Sequence, residues 1–523
     1  MFETTDFQII PPFVNEPYIN PNNHDVRSKM NQAFEKIRSQ GKDYDLLIGG
    51  KYLSTDEKII SANPANPDEI VGRVSKANKH FVDKAMETAY IAFRTWSRLP
   101  ASERVKPFLR AARIMRERRF ELDATMILEV GKSWIEADAD LAEAIDFLEF
   151  YSREALRYGV SQPVVQIPGE YNELRYIPLG VGVVIPPWNF PSAIMAGMTT
   201  AAAVSGNCVL LKPASDSPVI AAKFVEILRE AGLPDGVVNF VPGSGSEIGD
   251  YLVEHSLTRF ISFTGSKEVG LRINELAAKH HVGQKWIKRV VLEMGGKDCV
   301  VVDETADIDA ASTGAVASAF GFQGQKCSAG SRIIVVENVY DKIIQLIKEK
   351  TEALTVGDPT DPDNYMGPVI NEAALTKITS YIDIGKKEAR LVTGGNHIRG
   401  KGYFIEPTVF ADVPPEARIA QEEIFGPVTA IIKARDFDHA IEIANGTEYG
   451  LTGALYSKKR DRIERAKEEI HVGNLYFNRK CTGALVGVQP FGGFNMSGTD
   501  SKAGGRDYLL LFLQSKSISE KIL

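Results

Sequence analysis

The sequence predicts an α/β protein built on two parallel β-sheets. A chain of 523 residues is longer than one hydrophobic core usually organises, so two or three domains are expected. Short apolar runs alternate with helical patterns from residue 177 to 280, and a second such series extends from about residue 310 to 478. Apolar strands that alternate with helices are typical of parallel sheets covered by helices on both faces.

Composition and charge favour a soluble enzyme of a reducing compartment. Apolar residues make up 44% of the chain, and the formal net charge of −7 gives no electrostatic reason to expect nucleic acid or an anionic membrane as partner. The apolar run at 177–185 is too short to span a bilayer. The N-terminus lacks the basic and apolar regions of a signal peptide. Four widely spaced cysteines indicate neither a disulfide framework nor a zinc site, so we expect a cytoplasmic protein.

The first 158 residues are predicted to begin irregularly and then to be mostly helical. An irregular arm precedes a helix at Asp25–Ser39, and Asp45–Ile60 is typical of two strands joined by a Gly-Gly turn. From Asn78 to Tyr158 the apolar spacing is helical. Arginines scattered around the helix after Ser102 are interpreted as its solvated face rather than a phosphate patch.

The middle of the chain contains the clearest repetition. Val160–Tyr176 alternates like two extended segments. After it we expect strands at VGVVIPPW, CVLLKPA, VVNFVPG and RFISFTG, and helices at Ser192–Ala203, Ser217–Ala231, Ser246–His255 and Lys267–His280. Ligands of such sheets bind at the carboxyl ends of the strands.

The last third continues the α/β pattern. Lys288–Val302 predicts a strand pair around LEMGGKD. Further strands are expected at RIIVVEN and VTAIIKA, and helices at Tyr340–Thr355 and Phe437–Asn445. The chain ends in an alternating run, LLLFLQSKSISEKIL, without a hairpin partner of its own. We expect that run to pair with another segment or another subunit.

The segment GFQGQKCSAGSR contains the strongest candidate nucleophile, Cys327. A thiol reacts as the thiolate, and a neighbouring cation such as Lys326 lowers a thiol pKa. Small flanking residues would let a substrate reach the sulfur. The alternative is a buried structural cysteine in a glycine-rich turn.

Three other segments can carry chemistry. The turn FTGSKEVG, with Gly265 and Gly270, can offer N–H groups to a phosphate or serve packing alone. Glu293 follows an apolar strand, where burial would raise its pKa and make it suitable as a general base. The alternative is an ion pair between Glu293 and Lys297. Asn189 can stabilise an oxyanion or cap the next helix.

These motifs together resemble the aldehyde dehydrogenase superfamily. The matching motifs occur in the family's order: PPWNF, LLKPA, FTGS, LEMGGKD, GQKCSAGSR, EEIFGPV and PFGGFNMSG. The resemblance implies two Rossmann-like parallel-sheet domains and a small β oligomerisation element. By domain, it implies a cofactor-binding domain of residues 1–159 and 180–291, a catalytic domain of residues 292–503, and an oligomerisation element of residues 160–179 and 504–523.

The resemblance also implies roles for the candidate residues. Cys327 would attack an aldehyde, Asn189 and the Cys327 backbone N–H would hold the oxyanion, and Glu293 would activate the water that hydrolyses a thioester. NAD would take up the hydride. Its implied binding residues are Ile185, Pro186, Pro187, Trp188, Lys212, Ser215, Gly243, Gly249, Gly265, Ser266, Glu423 and Phe425. Ser215 stands where many NAD-preferring members have glutamate, which leaves use of NADP open.

Asn478–Gly505 indicates the substrate. This stretch is similar to that of family members that oxidise L-glutamate γ-semialdehyde to glutamate in proline degradation. By that similarity Ser328, Gly483 and Ala484 would bind the substrate's α-carboxylate, while Phe190 and Phe491 flank its aliphatic chain.

Three functions are compatible with these residues. The first is oxidation of glutamate semialdehyde, the second is oxidation of a different semialdehyde or aliphatic aldehyde, and the third is a non-enzymatic binding role on the same fold. The resemblance further implies a homo-oligomer, a dimer or a hexamer, and a separate proline dehydrogenase as a functional partner.

Overall fold

The structure, a computed structural model, describes residues 10–41 and 43–522. The predicted irregular arm begins outside these residues, because residues 1–9 are not among them. From Ile10 to Asn22 the chain has neither helix nor strand, which confirms the described part of that prediction.

The described residues form short strands in two large sheets, a small sheet and two ribbons, with helices between them. In chain order the strands are β1 (Asp43–Tyr44), β2 (Leu46–Ile48), β3 (Lys51–Leu53), β4 (Lys58–Asn63), β5 (Asn66–Ser75), β6 (Glu170–Pro178), β7 (Val181–Ile185), β8 (Cys208–Leu211), β9 (Val238–Phe240), β10 (Thr258–Thr264), β11 (Arg289–Glu293), β12 (Cys299–Val302), β13 (Arg332–Val336), β14 (Arg390–Thr393), β15 (Thr408–Ala411), β16 (Val428–Ala434), β17 (Tyr449–Gly450), β18 (Thr452–Tyr456), β19 (Asn474–Phe477), β20 (Phe494–Asn495) and β21 (Leu513–Lys521). The helices are α1 (His24–Ser39), α2 (Lys79–Trp96), α3 (Ala101–Glu117), α4 (Arg119–Val130), α5 (Trp134–Tyr158), α6 (Ala193–Val204), α7 (Pro218–Glu230), α8 (Asp250–Glu254), α9 (Lys267–Ala278), α10 (Ile308–Phe320), α11 (Tyr340–Glu352), α12 (Glu372–Glu388), α13 (Arg418–Gln421), α14 (Phe437–Asn445) and α15 (Arg460–Glu469).

The first large sheet has the strand order β11-β10-β7-β8-β9-β2-β3. Its five strands from β11 to β9 are parallel, and β2 and β3 add an antiparallel edge. Gly182 in β7 leaves space for Phe260 of β10, because a Cβ there would lie 2.0 Å from the phenyl ring. Gly49 and Gly50, with φ of +57° and +75°, form the predicted turn between β2 and β3.

The second large sheet has the strand order β14-β15-β16-β13-β12-β18-β19. All neighbours from β15 to β19 are parallel, and β14 is antiparallel. The central strands β12, β13 and β18 are buried along their whole length. The two parallel sheets and their helices confirm the predicted α/β class.

A two-stranded ribbon joins the end of the chain to its middle. β21 pairs with β6 in antiparallel register from Leu513 with Pro178 to Lys521 with Glu170. The predicted pairing of the C-terminal run with another segment is therefore confirmed. Exposed apolar side chains, such as Val165, lie in the segment before β6.

Three sequence predictions are wrong in detail. The two strands around LEMGGKD do not pair: β11 lies at the edge of the first sheet and β12 in the second, so the chain crosses between sheets at Met294–Asp298. The helix expected at Ser246–His255 is one turn of π-helix at Gly245–Gly249 followed by α8. Of the two extended segments expected at Val160–Tyr176, only the second is a strand.

Candidate active site

A cavity of about 830 Å³ lies where the carboxyl ends of the first sheet face the loop before β13. It is lined by Cys327, which carries the thiol, by Asn189 and by most of the predicted cofactor residues. These are Ile185, Pro186, Pro187, Trp188, Lys212, Gly249, Gly265, Ser266, Glu423 and Phe425. Residues predicted from separate motifs therefore meet in one cavity.

The loop that presents Cys327 leaves α10 through a strained turn. Phe322 and Gln323 have φ of +47° and +56°, a region that bulky residues rarely adopt. The Gln323 amide donates to the carbonyl oxygens of Gly131 at 3.0 Å and Pro368 at 2.8 Å. These buried hydrogen bonds hold the turn in place, and the turn directs the chain into the cavity.

The Cys327 thiol is protonated more tightly than an ordinary thiol. Burial raises its pKa, and the charges of Asp298, Glu293 and Glu423 raise it further. The expectation that Lys326 lowers the thiol pKa is wrong. Lys326 Nζ donates to Glu136 Oε1 at 2.6 Å, and this ion pair is nearly buried.

The Asn189 side chain lies against the same loop. Its Nδ2 donates to the carbonyl oxygen of Gln325 at 3.0 Å, and the residue is 4% exposed. It caps no helix, since α6 begins four residues later at Ala193. One amide hydrogen fixes the side chain to the loop, and the second can be donated to an oxyanion in the cavity.

The Glu293 carboxylate does not line the cavity, but it lies close enough to the Cys327 thiol for its charge to raise the thiol pKa. Ser501 Oγ donates to its Oε1, whereas the expected alternative was an ion pair with Lys297. Burial raises the Glu293 pKa to about 8, and the Ser501 hydrogen bond opposes that shift. A carboxylate with a pKa near neutrality is suited to general base catalysis, as the sequence predicted.

Polar groups suited to a dinucleotide line the cavity. Lys212 is buried, its pKa is lowered to about 8 by burial, and its Nζ makes one long hydrogen bond to Pro213 O at 3.3 Å. Glu423 Oε1 accepts the Gly296 N–H at 3.0 Å. The helix α9 begins at the cavity with Ser266 as its N-cap, so backbone N–H groups face the space.

Trp188 and Phe425 form an apolar wall of the cavity. Their rings meet edge to face with centroids 5.6 Å apart. Two of the predicted cofactor residues lie outside the lining. Ser215 is exposed beyond the end of β8, and a Cβ at Gly243 would lie 2.5 Å from Ile248, so Gly243 serves close packing.

The predicted substrate residues also lie outside the cavity lining. Phe190 and Ser328 directly follow Asn189 and Cys327 in the chain. Gly483 has φ of +79°, which favours glycine, and a Cβ there would lie 3.4 Å from Lys480 Cε. The segment after β19 thus places cationic side chains beside the predicted carboxylate-binding loop.

Several cavity residues were missed by sequence analysis. Val269, Arg272 and Ile273 line the cavity from α9, and their spacing on one helix face could have identified them. Lys377 of α12 also lines it, and no local pattern marks that residue. Arg272 is paired with Asp250, another lining residue, whereas Lys377 adds positive charge to a cavity predicted to bind phosphates.

The part of the chain that the structure describes lacks two kinds of feature. No helix within residues 10–41 and 43–522 combines the length and apolarity needed to cross a membrane. Within the same residues, no group of three or more His, Cys, Asp and Glu side chains is arranged to hold a metal ion.

Comparison with known proteins gives consistent matches along the chain. The model of the aldehyde dehydrogenase family matches residues 52–518. A 1-pyrroline-5-carboxylate dehydrogenase of Geobacillus sp. (strain WCH70) is 60% identical over 98% of this chain and all of that protein. A crystal structure of 1-pyrroline-5-carboxylate dehydrogenase from Thermus with bound NAD superposes with a TM-score of 0.96 at 53% identity, over 98% of this chain and all of that chain.

A larger protein also contains this fold. The crystal structure of proline utilization A (PutA) from Bdellovibrio bacteriovorus is 44% identical, with a TM-score of 0.96. The match covers 98% of this chain and 53% of that one.

Proposed function

This chain belongs to the aldehyde dehydrogenase family, and from that premise we propose that it oxidises L-glutamate γ-semialdehyde to L-glutamate with NAD, the second step of proline degradation. The observation that carries this proposal is that the cavity combines a thiol, Cys327, with the amide of Asn189 and the lining expected of a dinucleotide site. Relatives at about 60% identity over their full length bear the name of this activity.

We assign the first chemical step to Cys327. Its sulfur bonds to the aldehyde carbon, and the carbonyl oxygen becomes the oxyanion of a thiohemiacetal. Asn189 Nδ2 and the Cys327 backbone N–H donate to that oxyanion. When bound in the cavity, NAD would supply the hydride acceptor for oxidation of the thiohemiacetal to a thioester. Because burial keeps the thiol protonated at neutral pH, its proton passes to solvent water as the sulfur attacks.

We assign the second chemical step to Glu293. Its carboxylate takes a proton from water, the water oxygen bonds to the thioester carbon, and the carbon–sulfur bond breaks. Glutamate is released and the Cys327 sulfur is regenerated. A base with a pKa of about 8 is strong enough for this transfer and is still partly ionised at neutral pH.

The cavity fits the cofactor that the proposal requires. Its volume of about 830 Å³ is within the range of cofactor sites. Lys212 is buried with donors to spare and would hold a ribose hydroxyl. Ser266 and the first N–H groups of α9 would hold the pyrophosphate, and Glu423 would hold the second ribose.

The substrate assignment rests on the two loops that flank the nucleophile. Ser328 and the N–H groups of Gly483 and Ala484 would bind the α-carboxylate, and Phe190 and Phe491 would flank the chain. Thr452 and Cys481 both donate to the Ser328 carbonyl, although at 3.5 Å and 3.4 Å. The Cys481 contact joins the two loops beside the thiol, and the Thr452 contact joins the first loop to β18.

Assembly and location complete the proposal. Residues 1–159 with 180–291 would bind the cofactor, residues 292–503 would form the catalytic domain, and 160–179 with 504–523 would join subunits. The exposed apolar residues before β6 support a homo-oligomer, a dimer or a hexamer. The four unbonded cysteines support a cytoplasmic location, and a separate proline dehydrogenase would supply the substrate.

The test measures NADH formation from L-glutamate γ-semialdehyde by the wild-type protein and Cys327→Ala. We expect the variant to lose NADH production while its melting temperature stays close to that of the wild type. Cys208→Ala is the matched control, since Cys208 is a buried thiol outside the cavity. NADH production at the wild-type rate by Cys327→Ala would overturn the proposal.

A further inference from the structure

Glu293 is held by residues 491–503, a segment that is distant from it in the sequence. Ser501 Oγ donates to Glu293 Oε1, although 208 positions separate the two residues. Backbone N–H groups of Ser501 and Gly493 also face the carboxylate. The orientation of the carboxylate is therefore set by this segment rather than by neighbours of Glu293 in the chain.

The segment lies along the free edge of β11. The Met294 N–H donates to Ser497 O at 2.8 Å, and the Thr499 N–H donates to Leu292 O at 2.9 Å. These bonds extend the first sheet past Glu293 on both sides. The backbone that carries Ser501 is thus fixed relative to the backbone of Glu293.

Lys502, whose charge lowers the Glu293 pKa, donates its hydrogen bonds elsewhere. Lys502 Nζ donates to the carbonyl oxygens of Gly473 at 2.8 Å and Gly492 at 2.7 Å. Among the described residues, the side chain that donates a hydrogen bond to Glu293 is that of Ser501, and it donates to Oε1. The second carboxylate oxygen, Oε2, is buried and has no hydrogen-bond partner. One oxygen is held, and the other can accept a proton.

The same segment is joined to the proposed substrate site. Phe491 and Ala503 exchange two backbone hydrogen bonds of 2.8 Å and 2.7 Å. Phe491 is proposed to flank the substrate, and Ala503 lies two residues after Ser501. The segment therefore connects the wall of the substrate site to the carboxylate.

We propose that Ser501 is the positioning residue of the general base: it holds Glu293 Oε1 so that Oε2 takes the proton of the hydrolytic water. This role rests on the proposed function. In the step, the proton passes from water to Oε2 while the oxygen–carbon bond forms and the bond to Cys327 Sγ breaks. Ser501 keeps its own proton throughout.

The charged and titratable groups around Glu293 predict the direction of the pH effect. Lys502 and the Ser501 hydroxyl favour the ionised carboxylate, while burial opposes it. Cys327 and Tyr508 are the other titratable groups whose pKa values respond to Glu293. Removal of the Ser501 hydroxyl therefore raises the Glu293 pKa and moves the acid limb of the hydrolysis rate to higher pH.

The experiment compares the wild type with Ser501→Ala and Ser501→Cys in stopped-flow NADH formation across pH. For Ser501→Ala we expect a rapid burst of about one NADH per active site at the wild-type rate constant, followed by turnover slowed on the order of tenfold. The acid limb should move to higher pH. Ser501→Cys, a weaker donor of similar shape, should show a smaller change in the same direction.

Burst amplitude counts folded active sites, so it separates a misfolded variant from a slow one. Ser152→Ala is the matched control, because Ser152 is a buried serine whose single hydroxyl bond goes to Leu148 O within α5. The inference would be overturned if Ser501→Ala or Ser501→Cys kept the wild-type steady-state turnover and an unmoved acid limb.

A second substrate separates this inference from the proposed function. Hydrolysis of p-nitrophenyl acetate needs an acyl group on Cys327 and a general base, but neither the semialdehyde nor NAD. If Ser501→Ala slows the release of acetate and shifts the acid limb of the pH profile of that release, the inference holds. It holds even where the wild type fails to oxidise glutamate semialdehyde. Unchanged acetate release by Ser501→Ala would contradict it.

Discussion

Lys326 Nζ lies 2.6 Å from Glu136 Oε1, so the lysine that precedes the nucleophile in the chain is paired with a carboxylate of α5. Its charge is neutralised there, and the Cys327 pKa is raised by burial and by surrounding carboxylates. The local sequence suggests an activated thiolate, but the folded chain surrounds the thiol with acidic groups.

Lys326→Met is predicted to leave the reactivity of the Cys327 thiol unchanged. Alkylation by iodoacetamide, followed from pH 6 to 10 without substrate, should rise with pH in both proteins. It should reach half its maximum above about 8.5, the ordinary thiol pKa. Glu136→Gln, which removes the other partner of the ion pair, serves as the comparison. A strong fall in alkylation of Lys326→Met near pH 7 would show that the lysine does activate the thiol.

Turnover is predicted to rise with pH as Glu293 loses its proton. Burial raises the Glu293 pKa to about 8, and the general base acts as the carboxylate. The ionised fraction then increases from about 9% at pH 7 to about 91% at pH 9, so kcat should increase about tenfold. The check is kcat with saturating substrate and NAD. A flat profile between pH 7 and 9 would be incompatible with a base of this pKa.

Ser215→Glu is predicted to reduce the use of NADP more than the use of NAD. Ser215 is exposed beyond β8, and a carboxylate there would repel a 2′-phosphate. Repulsion of about 1 kcal/mol lowers kcat/KM for NADP about fivefold. Ser215→Gln provides a control of equal size without the charge. Equal losses of kcat/KM with NAD and NADP in Ser215→Glu would exclude a position of residue 215 beside the 2′-phosphate.

Ser328→Ala is predicted to weaken binding of the semialdehyde and to spare aldehydes without a carboxylate. A hydrogen bond to a charged group contributes about 1.5 kcal/mol or more, which corresponds to a KM about tenfold higher. Propanal should show an unchanged KM. Ser331→Ala, three residues further along the same loop, is the control. A tenfold increase in KM for both substrates would mean that Ser328 supports the loop and not the carboxylate.

Local patterns predicted many of the individual strands, although not β14, β15, β18 or β19, and could not assign them to sheets. The strands β7 and β8 are continuous apolar runs, so their burial and parallel pairing follow from composition. β11 and β12 are separated by five residues and belong to different sheets. The sheet that each strand joins depends on the strands that are already in place, and no short sequence pattern contains that information.

The same limit applies to the candidate site. Cys327, Asn189 and Lys212 stand in distinctive motifs and meet in the cavity. The contacts of Ser501 with Glu293 and of Lys326 with Glu136 span 208 and 190 positions. Such partners are set by the fold, and a sequence shows only that a polar residue is present.

The most direct test of the proposed chemistry is the covalent intermediate itself. Glu293→Gln lacks the carboxylate that activates water, so the thioester should accumulate when this variant is mixed with L-glutamate γ-semialdehyde and NAD. Acid quenching and peptide mass spectrometry should then find a glutamyl group on Cys327, in an amount matching the burst of NADH. NADH formation with an unmodified Cys327, or a glutamyl group on another residue, would contradict the proposed chemistry.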